Sequence, residues 1–322
     1  MRPVVRAFVV VLALAACAGP APRADEGPTR PAEAETGSAG ASRTLIGGYR
    51  FEVTDLSPKI IGSNSPVGTK RLFNADLALI DGQGNPRPYL AETLPQLNTD
   101  SWRVFPDGRM ETTYRLRPGL TWHDGQPFSA EDFVFAWRVY TAPGLGMFPT
   151  APEDQMDAVQ ARDARTVVIQ WRAPYPDAGA LVHSQLNPLP RHILEDLFAR
   201  LGQDPAAAEA MARHPYWTSE YVGAGPFRLE RWEPGATLEG AAFDRHALGR
   251  PKIDRLILRI IPDENTILTN VLAGNVHFTT NLGLRFEHGM VLKREWADPR
   301  QGTVFMSGNT PATIMVQFRP EF

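Results

Sequence analysis

Residues 106–138 read PDGRMETTYRLRPGLTWHDGQPFSAEDFVFAWR, and no other stretch constrains the fold of this chain so tightly. Pro106-Asp107-Gly108 is a turn, because proline presets φ and glycine is free to take a positive value. The residues that follow alternate: Met110, Thr112, Tyr114 and Leu116 fall on one side, Glu111, Thr113, Arg115 and Arg117 on the other. A period of two with one apolar side predicts a half-buried strand, paired through the turn with residues 102–105. Arg117-Pro118-Gly119 ends the strand and Trp122-His123-Asp124-Gly125 turns again. Ser129, with Asp132 three residues on, marks a helix start by the capping-box rule. Phe133, Ala136, Trp137 and Tyr140 then recur at helical spacing, which predicts one apolar helix face.

The run from Leu116 to Trp137, LRPGLTWHDGQPFSAEDFVFAW, closely resembles the signature of the extracytoplasmic solute-binding proteins of peptide and nickel ABC transporters, the family 5 or oligopeptide/dipeptide-binding type. A second segment, Gly223-Ala224-Gly225-Pro226-Phe227, resembles that family's G-T-G-P-Y, and Pro88-Tyr89-Leu90-Ala91-Glu92 its P-x-L-A-E. The arginine, the glycines and the capped helix read as shaping a lobe and not as a catalytic centre. The resemblance implies an α/β fold of the periplasmic-binding-protein-like type II, with a small α/β lobe (74–185) inserted into a large lobe (44–73 and 186–322). In relatives of this type the chain runs on into a second large lobe, so the sequence is expected to be truncated before it. The implied function is capture of peptides for delivery to an ABC permease, by a monomer without cofactor or metal. A nickel, haem or oligosaccharide ligand is the alternative within the family. Three departures weaken transfer of ligand identity: Ser57 where relatives carry L-D-P, Arg245-His246-Ala247 in place of an aromatic run, and Asn275 with His277 in place of an acidic pair.

The N-terminus adds a compartment. Arg2 and Arg6 precede an apolar run, Ala7 to Ala15, too short to span a bilayer, and Leu14-Ala15-Ala16-Cys17 fits a bacterial lipobox. Small residues before a cysteine suit peptidase cleavage and thiolate alkylation, so residues 1–17 read as a lipoprotein signal peptide and Cys17 as the lipidation site; the other reading is an ordinary signal peptide with an incidental cysteine. Two or more acyl chains hold a protein stably on a membrane. Residues 18–43, rich in Ala, Pro, Gly, Glu and Thr, read as a disordered tether. The expected location is therefore the periplasm or outer face of the cell envelope, lipid-anchored. Cys17 is the only cysteine, which excludes an intrachain disulfide. A net charge of −3 with dispersed basic residues excludes nucleic acid as a partner.

Further elements follow the same rules. Residues 45–51 open the folded part, residues 166–172 and 227–232 read as strands, and so do Leu256, Leu258 and Ile260 by alternation. Residues 186–190 read as a short strand leading into a helix over 191–201. Asp263 caps a helix with Ile267, Leu268, Val271 and Leu272 inward and Gly274 at its end. By position in the family, the loop carrying Gly62, Ser63 and Asn64 borders the ligand cleft, although a solvated turn fits equally; Phe148 either reaches the cleft wall or packs locally. A secreted hydrolase would need His123 or Asp124. No G-x-S-x-G, H-E-x-x-H, G-x-x-x-x-G-K-[ST] or C-x-x-C pattern occurs, and His123 reads as a turn residue bonded to backbone. The seven tryptophans fall mostly at inward positions, where core packing is the simpler role.

Overall fold

The computed structural model of the chain describes residues 42–57, 59, 67–143, 145, 151–182, 185–204, 206–280, 283–296, 298 and 300–305. In chain order the elements are β1 (Thr44–Tyr49), α1 (Val67–Phe73), β2 (Ala78–Ile80), β3 (Pro86–Pro88), β4 (Trp102–Val104), β5 (Met110–Arg115), α2 (Ala130–Thr141), β6 (Met156–Asp163), β7 (Thr166–Trp171), α3 (Arg191–Phe198), α4 (Ala207–Ala212), β8 (Phe227–Glu233), β9 (Thr237–Ala242), β10 (Arg255–Ile260), α5 (Glu264–Leu272), β11 (Phe278–Thr279) and α6 (Phe286–Glu295). They build a five-stranded sheet in the order β11-β1-β10-β9-β8, a four-stranded sheet in the order β4-β5-β7-β6, and the two-stranded ribbon β2-β3. β1 lies parallel to both β10 and β11, while β10, β9 and β8 run antiparallel in turn.

The hairpin expected around Gly108 is present. Trp102 pairs with Thr112 and Val104 with Met110. Gly108 turns at φ +85°, and the Asp107 carboxylate accepts from the Arg109 N–H at 3.1 Å. Met110, Thr112, Tyr114 and Leu116 are all buried, so the alternation along β5 does mark its inner face. Two polar atoms on that face are satisfied internally. Trp171 Nε1 donates to Thr112 Oγ1 at 2.9 Å, and Tyr114 Oη donates to the Ala178 carbonyl at 2.6 Å while accepting from the Leu181 N–H at 3.3 Å. Tyr114→Phe removes the hydroxyl that partners both backbone groups, leaving the Ala178 carbonyl and the Leu181 N–H unpaired, and is expected to cost about 1–2 kcal/mol, read as a lower urea midpoint with unchanged slope.

Helix α2 begins where the cap predicts, with the Asp132 carboxylate accepting from the Ser129 N–H at 2.8 Å. Its burial differs from the single apolar face read in the sequence. Phe133 enters one core, with Tyr114, Trp122 and Ile169, whereas Phe135, Ala136, Val139 and Tyr140 enter another, with Phe73, Leu194, Phe227 and Leu258. Trp137 is only partly buried. The helix packs on β6 and β7 and also on α3, so it is covered on more than one side and its apolar residues need no single stripe.

Other expectations are corrected. Residues 186–190 form no strand: Leu186 takes a positive φ of 53°, its N–H is captured by the Glu153 carboxylate at 2.6 Å, and Pro188 and Pro190 have no N–H to give a ladder. The following helix stops at Phe198 and not at residue 201. Tight turns carry the chain on to Gly202 at φ +83°. In α5, Asp263 caps as expected, accepting from the Thr266 N–H at 2.7 Å, and Ile267 and Val271 are buried; Leu268 is partly buried and Leu272 is 44% exposed. Residues four apart face the Ile46 side of the sheet, and Leu272 is rotated about 100° from Val271.

Candidate functional site

The densest polar chemistry lies where the chain passes from α1 into the ribbon. Gly225 donates its N–H to the Phe73 carbonyl at 3.1 Å. A Cβ on Gly225 would stand 2.4 Å from the Asn74 nitrogen, and one on Gly223 would stand 2.0 Å from the Phe73 carbonyl oxygen. These glycines therefore serve close backbone approach. Asn74 fixes the crossing by donating Nδ2 to the Leu56 and Lys70 carbonyls at 2.8 and 2.7 Å, while its Oδ1 accepts from the Tyr221 hydroxyl. His123 joins the same place from the four-stranded side. Its backbone N–H donates to the Gly223 carbonyl at 2.9 Å, its Nδ1 accepts from the Gly223 N–H at 3.2 Å, and its Nε2 faces the Gly225 carbonyl at 3.0 Å. A carbonyl only accepts, so Nε2 carries the proton. Burial holds this imidazole down to about 4, partly offset by the Gly225 bond. His123 is thus a neutral connector between the two sequence signatures, as its reading as a backbone-bonded residue expects.

Three carboxylates are buried around this crossing. Asp55 pairs with Lys70 at 3.1 Å. Asp76 accepts from the Asn187 side chain, and Asn187 accepts at its carbonyl from the Tyr140 hydroxyl at 3.0 Å. Glu153, fully buried, pairs with Lys59, whose ammonium lies 5.5 Å from the Tyr140 ring centre. Through its other oxygen Glu153 holds the Leu186 N–H, so one carboxylate fastens three segments distant in sequence. Desolvation pushes the Tyr140 and Tyr221 phenols above their ordinary range, with neighbouring carboxylates adding to the rise. Such a network positions backbone. No periodic signal marks Lys59, Asp76 or Glu153, since an isolated charged residue between regular elements looks the same buried or solvated.

The residues expected to carry function fall as follows. Gly62, Ser63, Asn64, Phe148 and Cys17 lie outside the described residues. His123 and Asp124 serve different partners: His123 binds the 223–225 loop, and Asp124 binds His192 Nε2 at 2.7 Å on the surface. His214 caps a short 3-10 turn by accepting from the Tyr216 N–H at 3.1 Å. Trp122, Trp171 and Trp217 are core residues, and Trp102, Trp137, Trp232 and Trp296 pack partly buried against the cores. Among the described residues no group of three or more His, Cys, Asp or Glu is placed to hold a metal ion, and no helix is long and apolar enough to cross a membrane.

Comparison with known proteins accounts for this construction. Residues 92–314 match the profile of "Bacterial extracellular solute-binding proteins, family 5 Middle". The oligopeptide-binding protein AppA of Bacillus subtilis is 23% identical over 274 residues, covering 84% of this chain and 46% of AppA. The structure of AppA with a nonapeptide superimposes with a TM-score of 0.61 at 21% identity, over 74% of this chain and 44% of AppA. An oligopeptide-binding protein of Thermus thermophilus with a pentapeptide gives 0.66 at 22% identity, over 76% of this chain and 46% of that one. A "Putative ABC transporter peptide-binding protein" of Brucella ovis is 27% identical over 179 residues, covering 56% of this chain and 32% of that protein, so the chain spans less than half the length of these curated relatives. The fold is α/β, of the periplasmic-binding-protein-like type II. With the profile covering more than half of its residues and both signatures meeting at one crossing, the chain belongs to the bacterial extracellular solute-binding proteins of family 5.

Proposed function

We propose that this chain captures peptides outside the cytoplasm and delivers them to the membrane permease of an ABC importer. The observation that carries the reading is the profile match over residues 92–314, in a chain similar to oligopeptide-binding proteins. In this reading residues 44–73 and 186–322 belong to a large lobe and 74–185 to an inserted small lobe. The loop carrying Gly62, Ser63 and Asn64 and the residue Phe148 border the cleft. Peptide recognition of this kind rests on main-chain hydrogen bonds along an extended ligand, and closure of lobes about a hinge presents the loaded form to the permease. The protein works as a monomer anchored through acylated Cys17, with residues 18–43 as its tether. Binding, and not turnover, is the activity.

Uptake tests the reading. Deleting the gene in its host is expected to abolish growth on a tri- to nonapeptide that supplies a required amino acid, and restoring the chain to rescue it. Unchanged peptide uptake with a loss of nickel, haem or oligosaccharide uptake would move the assignment within the family, and unchanged uptake of all four would overturn it. For the anchor, Cys17→Ala is expected to end incorporation of labelled palmitate and to release the protein into the soluble fraction.

A further inference from the structure

We infer that residues 243–250 form a strap across the two sheets whose histidine–phenol contact, His246 to Tyr89, is released by protonation. The strap connects β9 to β10 of the five-stranded sheet, yet its side chains lie against the other module. Phe243 packs edge-on against His123 with ring centres 4.9 Å apart, the Arg245 guanidinium lies on Gly125, and Ala247 packs against the core that contains Tyr114 and Trp122. His246 completes the span, with Nε2 2.7 Å from the Tyr89 hydroxyl and Nδ1 3.1 Å from the Gly249 carbonyl.

The acceptor at Gly249 fixes the tautomer. A carbonyl cannot donate, so Nδ1 carries the proton, Nε2 is the lone-pair nitrogen, and the Tyr89 O–H donates to it. Protonation gives the ring a second N–H, at Nε2, directly facing the phenol. The hydroxyl must then turn its own hydrogen away, at a tyrosine only 9% exposed. The charged groups around the strap do not compensate. Asp244 and Asp254 are engaged by Arg250, Asp124 by His192, and Asp76 by Asn187. The strap's own Arg245 reaches Gly125, and His123, which faces Phe243, is itself acted on by the positive charge of Arg228, so no unengaged carboxylate among these neighbours offsets the new charge. Burial also holds the His246 imidazole below its ordinary range, opposed by the Gly249 bond, so the neutral contact is complete above about pH 6.5 and is lost as pH falls below that. This inference does not depend on which solute the protein takes.

Hydrogen exchange of the full chain, corrected for intrinsic rates, tests it. Between about pH 7.5 and about pH 5, protection of residues 243–250 and 86–92 is expected to fall by about tenfold. His246→Gln, which cannot titrate, is expected to show the same protection at both pH values, and Tyr89→Phe to show low protection at both. Equal protection at the two pH values in the wild-type chain, or an undiminished pH response in His246→Gln, overturns the inference. Should His246→Gln fail to fold, the ring ¹⁵N shifts of His246 in the wild-type chain decide: an Nδ1–H tautomer at neutral pH is required, and an Nε2–H tautomer rules the strap mechanism out.

Discussion

Gly225→Ala is expected to lower the stability of the chain by more than about 3 kcal/mol, or to prevent folding outright. The added Cβ would stand 2.4 Å from both the Asn74 nitrogen and the Phe73 carbonyl carbon, and 2.8 Å from the Phe73 carbonyl oxygen. All three are backbone atoms, and they cannot swing aside as the end of a side chain can. Nor can the segment 73–74 retreat as a unit. Asn74 bonds Leu56, Lys70 and Tyr221, and Phe73, fully buried, is wedged in the second core. The relief available is to separate the 223–225 loop from the crossing, which breaks the Gly225 to Phe73 hydrogen bond and the His123 contacts together. Gly108→Ala is the matched control. That glycine sits at φ +85° with open space where its Cβ would be, so the change costs only the left-handed backbone penalty, about 1 kcal/mol. Guanidinium unfolding of the three chains checks the pair of expectations. A Gly225→Ala midpoint equal to that of Gly108→Ala would show that the crossing yields and that the glycines serve something other than close approach.

Local elements were legible in the sequence because they obey local rules. The β4–β5 hairpin follows from Pro106-Asp107-Gly108, β5 from strict alternation, the start of α2 from Ser129 and Asp132, and α5 from Asp263 and Gly274. Long-range relations were not legible by those rules. Nothing in residues 133–140 says that Phe133 and Phe135 enter different cores, because helical periodicity assumes a single neighbour. Residues 186–190 looked like a strand and failed as one because Glu153, far off in sequence, takes the Leu186 N–H. The buried pair of Lys59 and Glu153 was invisible for the same reason: its meaning depends on a fold that brings loops together. Resemblance supplied what the rules lacked, and it located the two signatures. Their meeting through His123 is a tertiary fact that neither motif states alone.

His123 is expected to make the chain acid-labile, and the sign follows from its surroundings. Its folded-state pKa is lowered from about 6.5 to about 4 by burial, so the folded chain favours the neutral imidazole. The stabilisation is fully present above about pH 6.5 and is lost progressively as pH falls towards about 4. At 1.36 kcal/mol per pKa unit the loss is roughly 3 kcal/mol, with no discount for solvent because the residue is 4% exposed. The cause is concrete: an imidazolium has no lone pair on Nδ1 for the Gly223 N–H, and Arg228 adds repulsion. Asp132 works in the opposite sense. Its carboxyl is held above the usual range by burial, so protonating it at low pH relieves the fold and offsets part of the loss. Comparing His123→Gln with the parent removes that term, since Asp132 is present in both. Glutamine is expected to cost about 1–2 kcal/mol at neutral pH through poorer hydrogen bonding. The gap between the two chains should then narrow as pH falls from about 6.5 to 4, leaving the variant equal or more stable at the acid end. Urea midpoints measured across that range decide the matter. Two parallel profiles would mean that His123 keeps its charge state throughout, and the connector would owe its place to shape and not to protonation.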